Sequence, residues 1–552
     1  MSRKSGDELV FLALGGAGEI GMNLNLYGFG APGDPEWLMV DLGVTFGDGS
    51  IPGADVIMPD PRFIVERRDR LLGLVLTHAH EDHLGAVPYL WDQLRCPIYA
   101  TPFTAAILDA KLRDVGLSKV PVTVVDLGSR FSIGPFDLEL ITLTHSIPEP
   151  NAIAIRTPLG TILHTGDWKF DPDPVIGPTS DEAALKVLGD EGVLAIVCDS
   201  TNVFEKGVSG SEASLLATLG EVIASSPNRV AVACFASNVA RLDTIARAAA
   251  ANDRTVVIAG RSLRRIDAAA RGTGYLHDTP AFVDEADCGH MPPDKVLIIC
   301  TGSQGEPRAA LARIAAGTHP HIGLEPGDRV IFSSRIIPGN ETAIGRLHNQ
   351  LVRNGVDVIT WRDHDVHVSG HPCRDELAHM YALARPKIAV PVHGEIRHLI
   401  EHARLAKSCQ VRHTVVAENG SMVRLTPGRS EIIDTVPSGR LMVDGHRVIP
   451  IDGELARGLA KTLSHGSAVV TVAIDRKGRL AETPEMSTIG LIEAGEDDIE
   501  ADVIAAIEAA VAKAGVRADD QTLKDAVRIA TRRAFVAAIG KKPWTKVHLV
   551  RH

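Results

Sequence analysis

The stretch Leu74-Val-Leu-Thr-His78-Ala-His80-Glu-Asp82-His83-Leu-Gly-Ala86 puts four metal-ligating side chains on one short turn. The apolar run Leu71 to Leu76 that leads into it reads as a buried strand. The helical spacing of Leu84 to Leu94 places a helix start at Asp82 or His83. Such a loop exposes side chains at the carboxyl end of the strand. There His78 and His80 can converge on one point, and Asp82 and His83 on a second point close by. Imidazole nitrogen and carboxylate oxygen are what zinc or manganese takes at neutral pH. One His-x-His pair is ordinarily surface or core filler. Four ligand-type residues between His78 and His83 are hard to explain as packing.

The chain has 552 residues, enough for several domains, with 45% hydrophobic and 23% charged residues, ordinary for a soluble globular protein. A formal net charge of -12 gives no global basic field for nucleic acid. A polyanion would have to be held by a local patch, by backbone amides or by metals. The seven cysteines are scattered, with no Cys-x-x-Cys, and read as reduced thiols of a cytoplasmic protein. No signal peptide and no membrane span is expected.

Early strands come before any helix: residues 9–14, Asn23 to Phe29, and Trp37 to Asp41. The Gly-rich Gly15-Gly-Ala-Gly-Glu-Ile-Gly21 between the first two reads as a turn rather than a dinucleotide loop, since no long helix follows. Helices are expected at 84–94 and 102–114. Three later strands end in chemistry: Leu138 to His145, Thr161 to Asp167, and Leu194 to Asp199. From about 211, strands alternate with helices (239–251, 262–271, 308–316, 340–354), the rhythm of a parallel sheet. Ligand-type residues return in Asp365-Val-His367-Val368-Ser369-Gly370-His371 and at the strand end Lys387 to His393. The α/β block thus reads as inserted within a metal domain. The expected divisions are 1–210 and 361–445 for the metal domain, 211–360 for the insertion, 446–464 for a linker and 465–552 for a small α+β module. That module should hold a strand Ala468 to Ile474 and helices 497–514 and 520–539.

Taken together, these motifs make the chain resemble the ribonuclease J family, in the β-CASP branch of the metallo-β-lactamase superfamily. The shared pieces run in order from Gly-Gly-x-Gly-Glu-Ile-Gly21 and Val-Asp41-Leu-Gly through the His78 signature, Thr-His145-Ser-Ile-Pro, His-Thr-Gly-Asp167 and Asp199-Ser-Thr-Asn. They continue with Phe-Ala-Ser237-Asn238, Thr-Gly-Ser-Gln-Gly-Glu306, Ile-Pro-Gly-Asn-Glu341, His-Val-Ser-Gly-His371 and Pro-Val-His393-Gly-Glu. The resemblance implies an α/β fold: a metallo-β-lactamase αββα sandwich, an inserted parallel-sheet β-CASP domain and a C-terminal domain. It implies two divalent metals, zinc foremost with manganese or magnesium as alternatives, ~3.5–4 Å apart. His78, His80 and His145 would hold one, Asp82, His83 and His393 the other, with Asp167 bridging. Asp41 would orient ligands from behind. Asp199 and His371 would move the protons, Asp199 as donor and His371 as acceptor, although the residues alone do not order the two.

The resemblance further implies that His367, Val368, Ser369, Gly370 and His371 lie against the substrate phosphate, and that Ser237 and Asn238 hold a 5′-terminal phosphate. The activity implied is 5′-to-3′ exonuclease and endonuclease action on single-stranded RNA, in RNA maturation and decay. A homodimer or tetramer built through the C-terminal module is implied, as is membership of an RNA-degradation complex. Asp48 and Asp444 are the candidates for a structural calcium, against the more ordinary reading as turn aspartates. Two other classes compete: a small-molecule metallohydrolase of lactonase or thioesterase type, and a non-catalytic RNA-binding paralogue. The inserted block speaks against the first, and the full ligand set against the second.

Overall fold

The computed structural model describes residues 6–47, 49, 51–493 and 495–551. It divides into two compact units, one of Met1–Phe46 with Ile57–Gly439, the other of Gly47–Val56 with Arg440–His552. Among the described residues, no helix is long and apolar enough to cross a membrane.

The first unit is built on two sheets. The eight-stranded one runs, edge to edge, 431–435, 421–426, 8–15, 24–30, 36–40, 71–75, 98–100, 122–124. The seven-stranded one runs 130–133, 136–142, 151–157, 160–164, 193–199, 388–392, 413–414. Leu9, Phe11, Tyr27, Leu38 and Val40 of the first sheet share one buried core with Leu138, Leu140, Ile153, Val197 and Val390 of the second. The strands are therefore apolar on the faces they share, as a sandwich requires. Behind the second sheet, Leu185, Leu188, Leu377, Met380, Tyr381 and Leu405 bring helices Glu182–Glu191, Arg374–Ala384 and Ile396–Ser408 onto its other face. The strand Val193–Asp199 pairs in parallel with Ile388–Val392, from Ala195↔Ile388 to Asp199↔Val392. The sheet thus closes across everything that lies between those two strands.

What lies between includes a six-stranded parallel sheet, in the order 283–284, 255–259, 296–300, 230–233, 329–332, 357–359. Val230–Ala233 and Val296–Cys300 are buried throughout, as strands covered on both faces must be. Helices Val239–Ala251, Arg261–Gly272, Ala310–Ala315 and Glu341–Arg353 alternate with them. Arg241, fully buried in the first of these helices, pairs through both Nε and Nη2 with Glu212. Its Nη1 donates to Ser333 O at 2.8 Å and Ser333 Oγ at 2.6 Å. Ser333 Oγ in turn donates to Val366 O at 2.6 Å, so this charge ties the inserted sheet to the segment leading into residues 367–371.

The second unit carries the hairpin Arg440–Asp444/Arg447–Pro450 and a three-stranded sheet ordered 485–489, 467–474, 544–551. Helices Asp497–Ala514 and Asp520–Ile539 cover one face of that sheet through Val503, Ile507, Leu523, Val527 and Phe535. Asp497, Asp498 and Glu500 sit in the first turn of the former and Lys513 in its last, complementing the helix dipole.

Two local expectations differ from the structure. The helix expected to run unbroken to Leu94 is two, Glu81–Leu84 and Val87–Leu94. Pro88 has no N–H to give to Leu84, and Ala86 N donates instead to Leu42 O at 3.0 Å. The expected linker 446–464 contains the second hairpin strand and most of helix Glu454–His465. Leu455, Leu459 and Leu463 recur at helical spacing but stay exposed, and only Ala456 of that helix is buried.

Arg241→Met would leave Glu212 charged, buried and unpaired. The expected cost is ~3–5 kcal/mol, with much of it recovered when Glu212 is also replaced by an apolar residue. Thermal unfolding of the single and double variants checks this.

Candidate metal centre and its surroundings

The converging side chains come from strand ends and, for Asp82 and His83, from the short helix Glu81–Leu84. The strand Leu71–Val75 delivers Thr77 and His78, and its neighbour Glu36–Val40 delivers Asp41, which has a left-handed φ of 64°. Buried Asp41 accepts from Thr77 N at 2.8 Å and from Thr77 Oγ1 at 2.9 Å, and also from His83 Nδ1 at 2.8 Å. Thr77 Oγ1 has spent its proton on Asp41, so at 3.0 Å it can only accept from His78 Nδ1. The loop after Asp41 is pressed onto the turn holding Asp82. Leu42 N donates to His83 O at 2.7 Å, and a Cβ at Gly43 would lie 1.7 Å from Asp82 O. Only glycine fits there.

His145 follows the strand Phe136–Thr142, and its Nδ1 donates to Gly370 O at 2.5 Å. A Cβ on Gly370 would meet the His145 ring at 2.7 Å, so this contact also needs glycine. His393, with φ of 52°, follows Ile388–Val392. Its N–H donates to Gly16 O at 2.6 Å, so the Gly-rich turn after the first strand positions it. Thr201 Oγ1 donates to Asp199 Oδ1 at 2.7 Å and so accepts from His393 Nδ1 at 2.9 Å.

The consequence is common to His78, His83, His145 and His393. Each has its Nδ1 proton committed outward, which leaves each Nε2 facing inward, and Asn23 Nδ2 also approaches His83 Nε2 at 3.1 Å. His78 Nε2 and His145 Nε2 approach His80 Nδ1 at 3.1 and 3.0 Å. His83 Nε2 lies 3.2 Å from Asp167 Oδ2 and 3.5 Å from Asp82 Oδ2, and His393 Nε2 lies 3.0 Å from Asp82 Oδ2. Asp167 reaches both sets, with Oδ2 4.0 Å from both His78 Nε2 and His145 Nε2. The buried Asp167 Oδ1 has no hydrogen-bond partner. Lone pairs facing one another, and an orphaned buried carboxylate oxygen between them, are the donor set of divalent cations. Three overlapping groups of ligand-type side chains share Asp167: His78, His80, His145 and Asp167; Asp82, His83, Asp167 and His393; and Asp167, Asp199, His371 and His393, the last already joined by the His371–Asp199 hydrogen bond.

The electrostatics divide the histidines into two sets. Burial and the neighbouring rings of His83 and His80 hold His78 well below the ordinary histidine range, while burial takes His80 down to about 4 despite Asp82 and Asp167. Burial also acts to lower His83 and His393. Asp167 chiefly, with Asp82 and Asp41 for the former and Asp199 and Asp82 for the latter, lifts both well above it.

Beside these groups, His371 Nδ1 donates to Asp199 Oδ2 at 2.7 Å, and the His371 side chain is 24% exposed while Asp199 is sealed. Burial opposes the charge of Asp199, but His371 holds the carboxyl well below its ordinary range. Asp199 and Asp167 raise His371 against its own burial. Each member of the pair thus favours the charged form of the other. The loop before His371 is braced by Asn202, whose Nδ2 donates to Ser369 Oγ at 2.7 Å and His371 O at 3.0 Å. Half-buried His367 is held neutral by burial and the charges of Arg241 and Arg335, and its Nδ1 has no protein partner. Val368 packs its Cγ1 against Gly210 and stays half-buried.

Ser237 is half-buried at the start of helix Val239–Ala251. Asn238, expected to hold a phosphate, is buried, and its Oδ1 caps that helix by accepting from Arg241 N at 2.9 Å. Asp48 lies outside the described residues. Asp444 is paired with Arg447 in its own hairpin, the ordinary turn role that competed with calcium binding. Thr77, Thr201, Asn202 and Asn23 (Nδ2 to Asp82 O, 3.0 Å) were not singled out from sequence. Three of them stand inside quoted motifs, which was the available signal.

A two-sheet sandwich with His and Asp at its strand ends, interrupted by a parallel α/β domain, defines a metallo-β-lactamase hydrolase of the β-CASP kind. Family models match in the same order: the metallo-beta-lactamase superfamily over 33–230, the beta-CASP domain of ribonuclease J over 227–351, the Zn-dependent metallo-hydrolase RNA specificity domain over 362–417, and the ribonuclease J C-terminal domain over 461–552. Ribonuclease J of Sinorhizobium meliloti is 44% identical over 99% of this chain and 98% of its own length. That of Corynebacterium glutamicum is 41% identical over 87% of this chain and 67% of its own, and that of Helicobacter pylori 33% identical over 87% and 70%. A crystal structure of an Enterococcus faecalis protein of unknown function shares the fold, with a TM-score of 0.52 at 16% identity, covering 76% of this chain and all of that one. The chain belongs to the ribonuclease J family.

Asp41→Asn removes the acceptor shared by Thr77 and His83 without changing shape. Divalent-metal affinity is expected to fall ~10–100-fold. Chelator competition followed by metal analysis checks it, with circular dichroism to confirm the fold.

Proposed function

We propose that this metal-dependent ribonuclease degrades single-stranded RNA from 5′-monophosphate ends and also cuts internally, with zinc as the resident metal. The observation that carries the reading is the Asp199–His371 pair, at 2.7 Å, beside two cation-type donor groups that share Asp167. Divalent cations held by those groups would neutralise charge on the attacked phosphate and make water nucleophilic at neutral pH.

The chain's own residues do the rest. His78, His80 and His145 would hold one cation, Asp82, His83 and His393 the other, with Asp167 between and Asp41 fixing ligand orientation. Asp199 and His371 exchange the proton that the leaving oxygen needs, His371 being the member open to solvent. Small Ser369 and Gly370 let the backbone of 367–371 approach phosphate oxygens. The amino end of helix Val239–Ala251, with Ser237, suits a terminal monophosphate, because the helix dipole favours an anion there. A 5′-phosphate held there would explain exonuclease action from the 5′ end, and bypassing it would allow internal cuts. In the second unit, the sheet face away from its helices leaves Ile489, Trp544 and Val550 exposed, which supports pairing with a second copy of the chain.

His371→Asn is expected to lower RNA hydrolysis ~10²–10⁴-fold with metal content retained. His78→Ala and His80→Ala are expected to lose metal and activity together. Nucleotide release from 5′-monophosphorylated and 5′-triphosphorylated RNA, with the latter slower, is the measurement. RNA degradation that survives both alanine substitutions refutes the reading.

A further inference from the structure

An acidic chain that handles RNA needs a local place for the strand beyond the reacting phosphate. One cluster of side chains near the candidate loop is otherwise unexplained. Trp361 is half-buried on a turn that Asp363 holds tightly, its carboxylate accepting from Thr360 N and Thr360 Oγ1, both at 2.8 Å. The guanidinium of Arg335 lies 5.2 Å from the indole centre and that of Arg362 lies 5.3 Å from it. Arg335 is itself fixed, since Gln304 Nε2 donates to its carbonyl at 2.8 Å while Gln304 Oε1 accepts from Ile337 N at 2.9 Å. Its side chain is 45% exposed, and its only acidic neighbour at ion-pair distance among the described residues is Glu205, at 3.7 Å and 51% exposed.

Next to Glu205 stands Phe204, 50% exposed, with the Arg397 guanidinium 5.9 Å from its ring centre. These residues border the site. Phe204 and Glu205 follow directly on Asp199 to Asn202, and the charge of Arg335 is felt by His367. Large exposed aromatics gain the fold little. Exposed ion pairs such as Arg335–Glu205 also contribute little, so a phosphate can displace Glu205. Aromatic faces alternating with arginines are what a single strand requires, since each base has a face to stack and each linkage a charge to place.

We propose that Trp361 and Phe204 form a stacking platform for bases of single-stranded RNA, with Arg335, Arg362 and Arg397 taking the intervening phosphates and Glu205 occupying Arg335 until RNA arrives. The proposal rests on the ribonuclease reading above and adds a binding track to it.

The test is binding of a 3′-fluorescein-labelled, 5′-phosphorylated 2′-O-methyl oligouridine of about a dozen nucleotides to the full-length metal-loaded protein, by anisotropy over a range of salt. Trp361→Ala is expected to weaken binding ~10-fold and Trp361→Phe to restore most of it, as stacking predicts. Arg362→Gln should flatten the slope of log affinity against log salt by ~0.7, one phosphate contact. Glu205→Gln should tighten binding. Protein that digests RNA normally, but whose Trp361→Ala variant binds within twofold of wild type or whose Glu205→Gln variant binds no tighter, overturns the platform alone. Wild-type protein that digests no RNA overturns the ribonuclease reading, and the platform with it.

Discussion

The centre depends on the outward hydrogen bonds of its histidines. A neutral imidazole has one proton and one lone pair, and which nitrogen carries which is set by whatever the other nitrogen touches. Here Asp41, Thr77, Thr201 and Gly370 claim the Nδ1 protons of His83, His78, His393 and His145. All four Nε2 atoms are thereby turned inward, and at His83 and His393, which the carboxylates raise, a cation would displace a proton. Ligand geometry is built into the fold, and binding need not reorganise it.

That arrangement explains features that look unrelated. Asp41 and His393 both adopt left-handed backbone conformations that a side chain ordinarily avoids. Strain of this kind persists where surrounding contacts over-determine it. The close approaches at Gly43 and Gly370 serve the same end, because each lets backbone come within contact of a ligand or its turn. The buried Arg241–Glu212 pair extends the logic to the inserted domain, holding Val366 and hence the start of the 367–371 loop.

Much of this was legible in the sequence. Helices Val239–Ala251, Arg374–Ala384, Asp497–Ala514 and Asp520–Ile539 fall where their periodicity placed them, because caps such as Asn238 and Asp519 or first-turn acids mark their starts. The converging histidines and aspartates were legible because most of them follow an apolar run and four of them crowd between His78 and His83. The break at Pro88 and helix Glu454–His465 were not, the first overridden by a backbone contact to Leu42 and the second hidden beside the Gly, Pro and Asp residues of 445–453 although Leu455, Leu459 and Leu463 recur every four positions. The bracing residues Asn23 and Asn202 escaped because their partners lie far away along the chain, and spacing carries no trace of such contacts. Asn238 shows the converse, a polar residue in a family motif whose oxygen is spent on capping a helix.

The placement of Ile388–Val392 beside Val193–Asp199 has a consequence for how the molecule is made. Every inward donor but one has been synthesised by the time residue 167 leaves the ribosome, and the last, His393, must wait for the whole inserted domain. A nascent chain therefore passes most of its synthesis as an incomplete cutter while still tethered to its own messenger. Late delivery of a single imidazole delays completion of the donor set until the strand Ile388–Val392 pairs with Val193–Asp199.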